Sequence, residues 1–255
     1  MLVTAELLKS GFSSFISPGM MILVHSSLSS LGRVEGGAFA VISSLKKVIT
    51  SDGIIMMPTF TYGRDIFDPF KSQSHTGMIS EEFRKSAGVK RSLHPTHSVC
   101  AWGNDADYFL AGHEVEAPFS VGTPLHKLCL NDGYVMLIGV GHEANSMIHV
   151  AQELANVPYL DRSKLVKVLK DGNIIEVRAR RTGCSLGFNK AEPFLASNNL
   201  VAHYKIGNAQ ISFMKANPVV EKLTEILKKD SFMFICDNKN CFACNEARIA
   251  AKRNL

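Results

Sequence analysis

The sequence predicts an α/β protein with a mainly parallel central sheet flanked by helices and a β-hairpin inserted late in the chain. Three observations carry that expectation. Short apolar runs (MILV at 21–24, GIIMMP at 53–58, YVMLI at 134–138) read as strands buried on both faces. Segments of helical periodicity lie between them. Later, LVKVLKDGNIIEVRARR has two β-rich arms about a turn at Lys170-Asp171-Gly172-Asn173, a hairpin signature.

The elements follow in order. MLVTAELLKSGFSSFI is an amphipathic first helix with Leu7, Leu8, Phe12, Phe15 and Ile16 on its apolar side. MILVHSS is a strand, AFAVISSLKKVI a helix and GIIMMPTF a second strand. SEEFRKSAG is helical, HSVCAWG a short strand and DADYFL a helical turn. YVMLIGVG is a further strand, followed by a helix over 146–155 and then the hairpin. VVEKLTEILKK and CNEARIAAKR are the closing helices. With no repeat or low-complexity linker, residues 1–255 read as one domain.

Composition narrows the function. Hydrophobic residues make up 46% and charged residues 20%, as in a globular protein. The net charge is +5 without a block of like charges, so no nucleic-acid tail is indicated and a small anionic ligand suits the balance. No apolar run reaches the roughly 18 residues of a membrane span, and the N-terminus lacks the basic region of a signal peptide. The cytoplasm is therefore the expected compartment, with the cysteines reduced. Cys236, Cys241 and Cys244 are spaced C-x4-C-x2-C, the front half of an iron–sulfur motif. The fourth ligand is missing nearby and would have to come from a distant cysteine or another chain. The three read as helix-start and core cysteines, and no metal is expected.

Three segments can carry chemistry. In VHSSLSSLGRVEGGA (24–38), small hydroxyl residues and glycines lie between a strand and a helix, where backbone N–H groups suit a phosphate. It is neither a Walker loop nor G-x-G-x-x-G, and by rule alone it is equally a serine-rich turn. In RSLHPTHSVCAWG, Pro95 keeps His94 and His97 off a shared helical face, which leaves structural histidines in a loop. In GVGHEANSMIHVAQE, His149 and Glu153 stand four apart on a helix that begins at the carboxyl end of a strand. A histidine so placed suits a general base, with the carboxylate orienting it or binding a cation; a packed, hydrogen-bonded histidine has the same signature.

Together with MPTFT, FDPFKSQSHTGMISEEFR, APFSVGTPLHKL and GCSLGF, these segments resemble, in order, the aminoglycoside N3-acetyltransferase family from about residue 20 onward. That family does not use the common N-acetyltransferase fold. The resemblance implies transfer of acetyl from acetyl-coenzyme A to a small-molecule amine, with His149 as base and Glu153 orienting it or holding the acceptor's ammonium group. It implies coenzyme contacts at Ser26, Ser27, Ser29, Leu31 and Gly32, with Thr59, Thr61, Ser92 and Phe119 in the same cleft. Asp65, Asp68, His142 and Cys184 are expected on the acceptor side. A homodimer is also implied, without membrane or nucleic-acid partners.

Two departures bear on the acceptor. The family's drug-inactivating members are generally acidic, and they tend to carry an acidic residue some thirty positions past the helix histidine. This chain is basic and offers Arg180, Arg181, Thr182 and Cys184 there. A cationic strip is a poor fit for a polycation, so an amino sugar or related amine is the expected acceptor, acceptors bearing a negative group such as a nucleotide included, with aminoglycoside inactivation as the alternative. Direct transfer is the simpler route; an acyl-Cys184 intermediate and a coenzyme-A thioester hydrolase using a serine of SSLSS stay open beside it.

Overall fold

The computed structural model describes residues 2–63 and 65–253. Strand β1 (Leu2–Val3) leads into helix α1 (Ala5–Ser13), whose N-cap, Thr4, accepts a hydrogen bond from the Leu7 N–H at 3.2 Å. Leu8 and Phe12 turn inward from α1 as the amphipathic pattern requires. Strand β2 (Met21–Ser26) is followed by a single 3-10 turn and β3 (Arg33–Val34), which pairs with β1. Helix α2 (Gly37–Ile49) returns the chain to β4 (Ile54–Pro58), parallel to β2. Helix α3 (Met78–Lys85), β5 (Lys90–Arg91), β6 (Val99–Trp102), α4 (Ala106–Leu110) and α5 (Pro124–Leu130) precede β7 (Tyr134–Ile138).

Beyond β7 come α6 (Met147–Leu154), the hairpin β8 (Ser163–Lys170) and β9 (Asn173–Arg180), and α7 (Glu192–Ser197). A second hairpin, β10 (Ala202–Ile206) and β11 (Ala209–Lys215), precedes α8 (Ala216–Lys229) and α9 (Phe242–Arg253). Among the described residues no helix is long and apolar enough to cross a membrane.

The main sheet runs β10-β11-β7-β2-β4-β6-β5. Only β7, β2 and β4, at its centre, are parallel; every flanking pair is antiparallel. The expected mainly parallel sheet is thus corrected to a mixed one. The cause is local on one edge. Gly207 and Asn208 join β10 to β11, and this two-residue turn forces antiparallel pairing. Gly207 has φ +59°, and a Cβ there would lie 2.5 Å from the Leu31 carbonyl oxygen, so the site requires glycine. The other edge reverses because β6 returns alongside β4 with Met57 opposite Cys100.

One face of the sheet packs on Leu8 and Phe12 of α1, Val41 and Leu45 of α2 and Phe83 of α3. The other packs on Leu125 and Leu128 of α5, Met147, Ile148 and Val150 of α6 and Val219 and Leu223 of α8. The β8–β9 hairpin forms a separate two-stranded ribbon, as the sequence predicts. It is laced to the loop beyond β4: Phe67 exchanges two backbone hydrogen bonds of 2.8 Å with Lys167 and Leu169.

Two histidines of the central loops, His94 and His113, are held in buried hydrogen-bond networks. The His94 ring accepts the His97 N–H at 3.1 Å, and His113 is held between the Ser92 hydroxyl (2.8 Å) and the Pro118 carbonyl (2.9 Å). Burial pushes His94 down to about 4 and His113 and His25 down to about 3. Such groups are neutral when folded and take up protons only on unfolding, so stability is present above pH ~6.5 and is lost as pH falls from there toward the folded values. Each contributes a slope of about 1.4 kcal/mol per pH unit within its window. The urea midpoint, followed from pH 7.5 downward, is expected to fall steeply once below about pH 6.5; a flat profile to pH 5 overturns this account.

Candidate active site

The three parallel strands end on one edge of the sheet, and their carboxyl ends feed the serine loop after β2, the Thr59–Phe60 turn after β4 and the glycine turn after β7. The serine loop and the glycine turn are clasped together. Ser30 Oγ donates to the Gly139 carbonyl at 2.8 Å, and the Ser27 N–H donates to the Ile138 carbonyl at 2.9 Å. Gly139, at φ +62°, permits this, since a Cβ there would lie 2.2 Å from Ser30 Cβ. Helix α6 starts just beyond, where the Ser146 N–H donates to His25 Nε2 at 3.4 Å and Asn145 Oδ1 accepts the Met147 N–H at 3.1 Å.

His149 projects from α6 into a chamber of about 240 Å³ lined also by Ser26, Tyr62, His97, Glu143 and Thr182. Its ring stacks on Phe119 (centroids 5.0 Å apart, planes 11° apart) and meets the Phe188 edge at 4.8 Å. Burial pushes it down to about 4, against the smaller upward pull of a hydrogen bond to Gln152. That bond, Nδ1 to Gln152 Oε1, is 2.8 Å long. The Gln152 amide nitrogen donates to the Tyr159 hydroxyl at 3.2 Å, which donates to the Ser231 carbonyl at 2.9 Å. The chain has one direction: because Gln152 Oε1 can only accept, His149 carries its proton on Nδ1 and keeps a lone pair on Nε2. The arrangement suits a neutral base.

Two further spaces adjoin the chamber. Ser26 also belongs to a groove of about 500 Å³ formed with Ser27, Ser29, Gly32, Gly37 and Gly77. The starts of α2 and α3 meet there, and neither has a side-chain cap, so the groove holds two helix N-termini with their partial positive charge. On the opposite side, Tyr62, His97, Thr182 and Gly183 are shared with a cavity of about 550 Å³, walled by the β8–β9 ribbon and α9.

The structure places each residue singled out by sequence. His149 lines the chamber, and Ser26, Ser27, Ser29 and Gly32 line the groove, with Leu31 buried beneath. Phe119 stacks on the His149 ring. Thr59 and Thr61 are buried and donate to the Ser98 and Pro95 carbonyls. Ser92 accepts the Val99 N–H and faces His113, away from the chamber. The Asp68 carboxylate caps its own turn through the Phe70 and Lys71 N–H groups, and Asp65 is exposed. His142 turns to Glu192 (2.8 Å) and opens on another depression. Cys184 borders the larger cavity rather than the His149 chamber, and burial pushes its thiol up.

Glu153 departs from expectation. It lies on the face of α6 toward β9 and pairs with Arg180 at 2.8 Å, while the orienting contact belongs to Gln152, one residue earlier. An i, i+3 spacing from His149 is the only sequence signal for Gln152. Glu143 carries no comparable signal, and sequence reasoning misses it. Burial raises its pKa, but backbone N–H groups, including that of Gly141 (3.0 Å), and Asn189 outweigh this and hold it below the ordinary range, as a carboxylate on the chamber wall.

A profile described as aminoglycoside 3-N-acetyltransferase matches residues 23–228. The chain belongs to this family. Among its curated relatives is aminoglycoside N(3)-acetyltransferase IV of Salmonella sp, 29% identical over 235 residues that cover 91% of this chain and 89% of the relative. The apoenzyme crystal structure of aminoglycoside acetyltransferase AAC(3)-IVa superposes with a TM-score of 0.89 at 28% identity, covering 98% of both chains. A histidine-to-alanine variant of AAC(3)-IVa in complex with a gentamicin gives a TM-score of 0.89 at 27% identity and the same coverage. The relatives are acyltransferases, and the family assignment makes this chain an N-acetyltransferase.

The geometry gives Gln152 a role distinct from that of His149. His149→Ala is expected to lower turnover by about two to four orders of magnitude with the fold retained. Gln152→Leu, which frees the tautomer, should cost about 10- to 100-fold in kcat with KM little changed. Steady-state kinetics with circular dichroism of both variants checks this; full activity in Gln152→Leu removes the tautomer argument.

Proposed function

We propose that this chain is an acetyl-coenzyme-A-dependent aminoglycoside 3-N-acetyltransferase in which His149 is the general base. The observation that carries the reading is a neutral imidazole with a fixed tautomer, standing between an anion-suited groove and a larger cavity. Coenzyme A enters the groove at Ser26, Ser27, Ser29 and Gly32, with its phosphates at the starts of α2 and α3, and presents the thioester to the chamber. The acceptor occupies the opposite cavity and places one amine near Nε2.

The amine reacts in its neutral form. Its nitrogen attacks the thioester carbonyl, and the carbonyl π pair moves to oxygen. As the N–C bond forms, the nitrogen becomes strongly acidic, so even a weakly basic imidazole takes the proton. Collapse of the oxyanion breaks the C–S bond, and the departing thiolate recovers the proton from the imidazolium. Amide and free coenzyme A result, with the histidine restored.

The acceptor expected from sequence, an amino sugar or related amine, yields to the aminoglycoside reading. The family assignment and the gentamicin-bound relative support the latter. The cationic strip is also less free than its sequence suggests: Arg180 is paired with Glu153, and Arg162 with Glu246. Glu143 supplies a carboxylate for an ammonium group of the substrate. Lys164 and Arg181 remain on the cavity wall and favour the anionic amine as the second reading.

Thiol release from acetyl-coenzyme A is the direct test, with gentamicin, apramycin, free amino sugars, a nucleotide-linked amino sugar and no acceptor. Release that depends on an aminoglycoside is expected. Release with the nucleotide-linked sugar alone moves the assignment to the second reading, and release without acceptor to a hydrolase. Glu143→Gln should raise the aminoglycoside KM about tenfold, or about 1.4 kcal/mol, and leave the KM for acetyl-coenzyme A unchanged; equal rises in both would count against the ammonium contact.

A further inference from the structure

The cysteine motif near the C-terminus lacks a fourth ligand only along the sequence. In space, the thiols of Cys184, Cys236, Cys241 and Cys244 converge, with all four sulfur atoms within 4.8 Å of one another. Three elements supply them: the loop after β9, the segment before α9 and the first turn of α9 itself. None of the four is in a disulfide.

We infer that Cys184, Cys236, Cys241 and Cys244 form a structural tetrathiolate site for one zinc ion. Tetrahedral coordination with Zn–S bonds of about 2.3 Å sets sulfur–sulfur distances of about 3.8 Å, which the cluster reaches with small side-chain adjustments. A two-iron cluster would hold its cysteine pairs on opposite irons, so a group in which every sulfur neighbours every other fits a single ion. Four cysteines close the coordination sphere, the mark of a structural rather than a catalytic ion.

The surroundings agree. The Leu186 N–H donates to Cys184 Sγ at 3.4 Å and the Cys236 N–H to Cys244 Sγ at 3.3 Å, contacts that stabilise sulfur as thiolate. Cys241 immediately precedes α9 and Cys244 lies in its first turn, where the helix N-terminus favours negative charge. On ligation each thiol gives up a proton, and the four thiolates with one divalent cation carry a net charge of −2. Arg248 lies beside the site, donates to the Cys236 carbonyl and offsets part of this charge; Lys190, which donates to the Ile235 carbonyl at 3.0 Å, is already paired with Asp237 at 2.7 Å.

The ion has a clear mechanical task. Thr182 and Gly183 line the chamber of His149, and Cys184 follows directly. Phe242, Ala243, Glu246 and Ala247 of α9 wall the larger cavity. A zinc bridge between Cys184 and the α9 cysteines would hold the closing helix to the loop that walls the chamber. That role follows from where the ligands stand and does not depend on which acceptor the cavity takes.

The test uses the full chain, purified under reducing conditions with zinc in the growth medium and dialysed against metal-free buffer. Elemental analysis is expected to find about one zinc per chain, and Cys184→Ser and Cys241→Ser should each retain much less. Cobalt(II) in place of zinc should give the visible bands and the sulfur-to-metal charge-transfer absorption of a tetrahedral thiolate site. Removing zinc from the wild-type chain with a chelator should lower its melting temperature and speed amide exchange in α9, with both restored by zinc. These wild-type measurements keep the inference testable if the serine variants fail to fold. A chain that binds no zinc after reconstitution with all thiols reduced overturns the inference, as does iron in its place or full zinc retention in Cys184→Ser.

Discussion

The hydrogen bond from His149 Nδ1 to Gln152 is the interaction on which the active-site reading depends. The ring is buried between two phenylalanines, so it must be neutral, and a neutral imidazole can present either nitrogen as the lone pair. Gln152 removes that freedom because its own amide is committed to Tyr159, which is committed to a backbone carbonyl. A carboxylate in this position would raise the histidine's basicity and favour the imidazolium. An amide fixes the tautomer without doing so. The product is a weakly basic imidazole with a defined direction, which is what the proposed transfer requires.

Around His149 the fold separates a groove from a larger cavity. The serine loop and the starts of α2 and α3 create a groove whose polarity comes from backbone dipoles, independent of titration. The opposite cavity is framed by charged side chains on the β8–β9 ribbon and α9, elements that could vary without disturbing the central strands. The groove thus rests on the rigid edge of the parallel trio and the cavity on appended structure. The loop carrying Thr182 and Gly183 belongs to both sides, and its neighbour Cys184 ties it to the C-terminal helix through the thiol cluster.

The departures from the sequence reading share one physical origin, long-range pairing. Glu153 stands four residues from His149, and helical geometry permits the contact, but Arg180 on β9 offers a full charge and takes the carboxylate. Along the sequence Arg180 looks like an unpaired cation, so this ion pair accounts for the misplaced orienting residue and for part of the cationic strip, Arg181 being the rest. The mixed sheet arises likewise. HYKIGNAQISF holds a two-residue turn signal and alternating strands, but its place on the sheet edge is set by pairing with β7. Ser92 and Thr59 are polar residues of the right type whose hydroxyls are used up inside the structure.

By itself the sequence determined what periodicity and local spacing encode. It marked the apolar strands at the sheet centre, the helix bearing His149, the serine loop at a strand's carboxyl end, the late hairpin and the family. These depend on residues near one another along the chain, where geometry follows from backbone repeat alone. Tertiary structure decided which partner each polar group takes: Gln152 over Glu153 for His149, Glu153 for Arg180, and Cys184 as the fourth thiol beside Cys236, Cys241 and Cys244. Such choices depend on distances between segments far apart in sequence. A buried or charged group bonds to whatever the fold brings within reach, whatever its place along the chain.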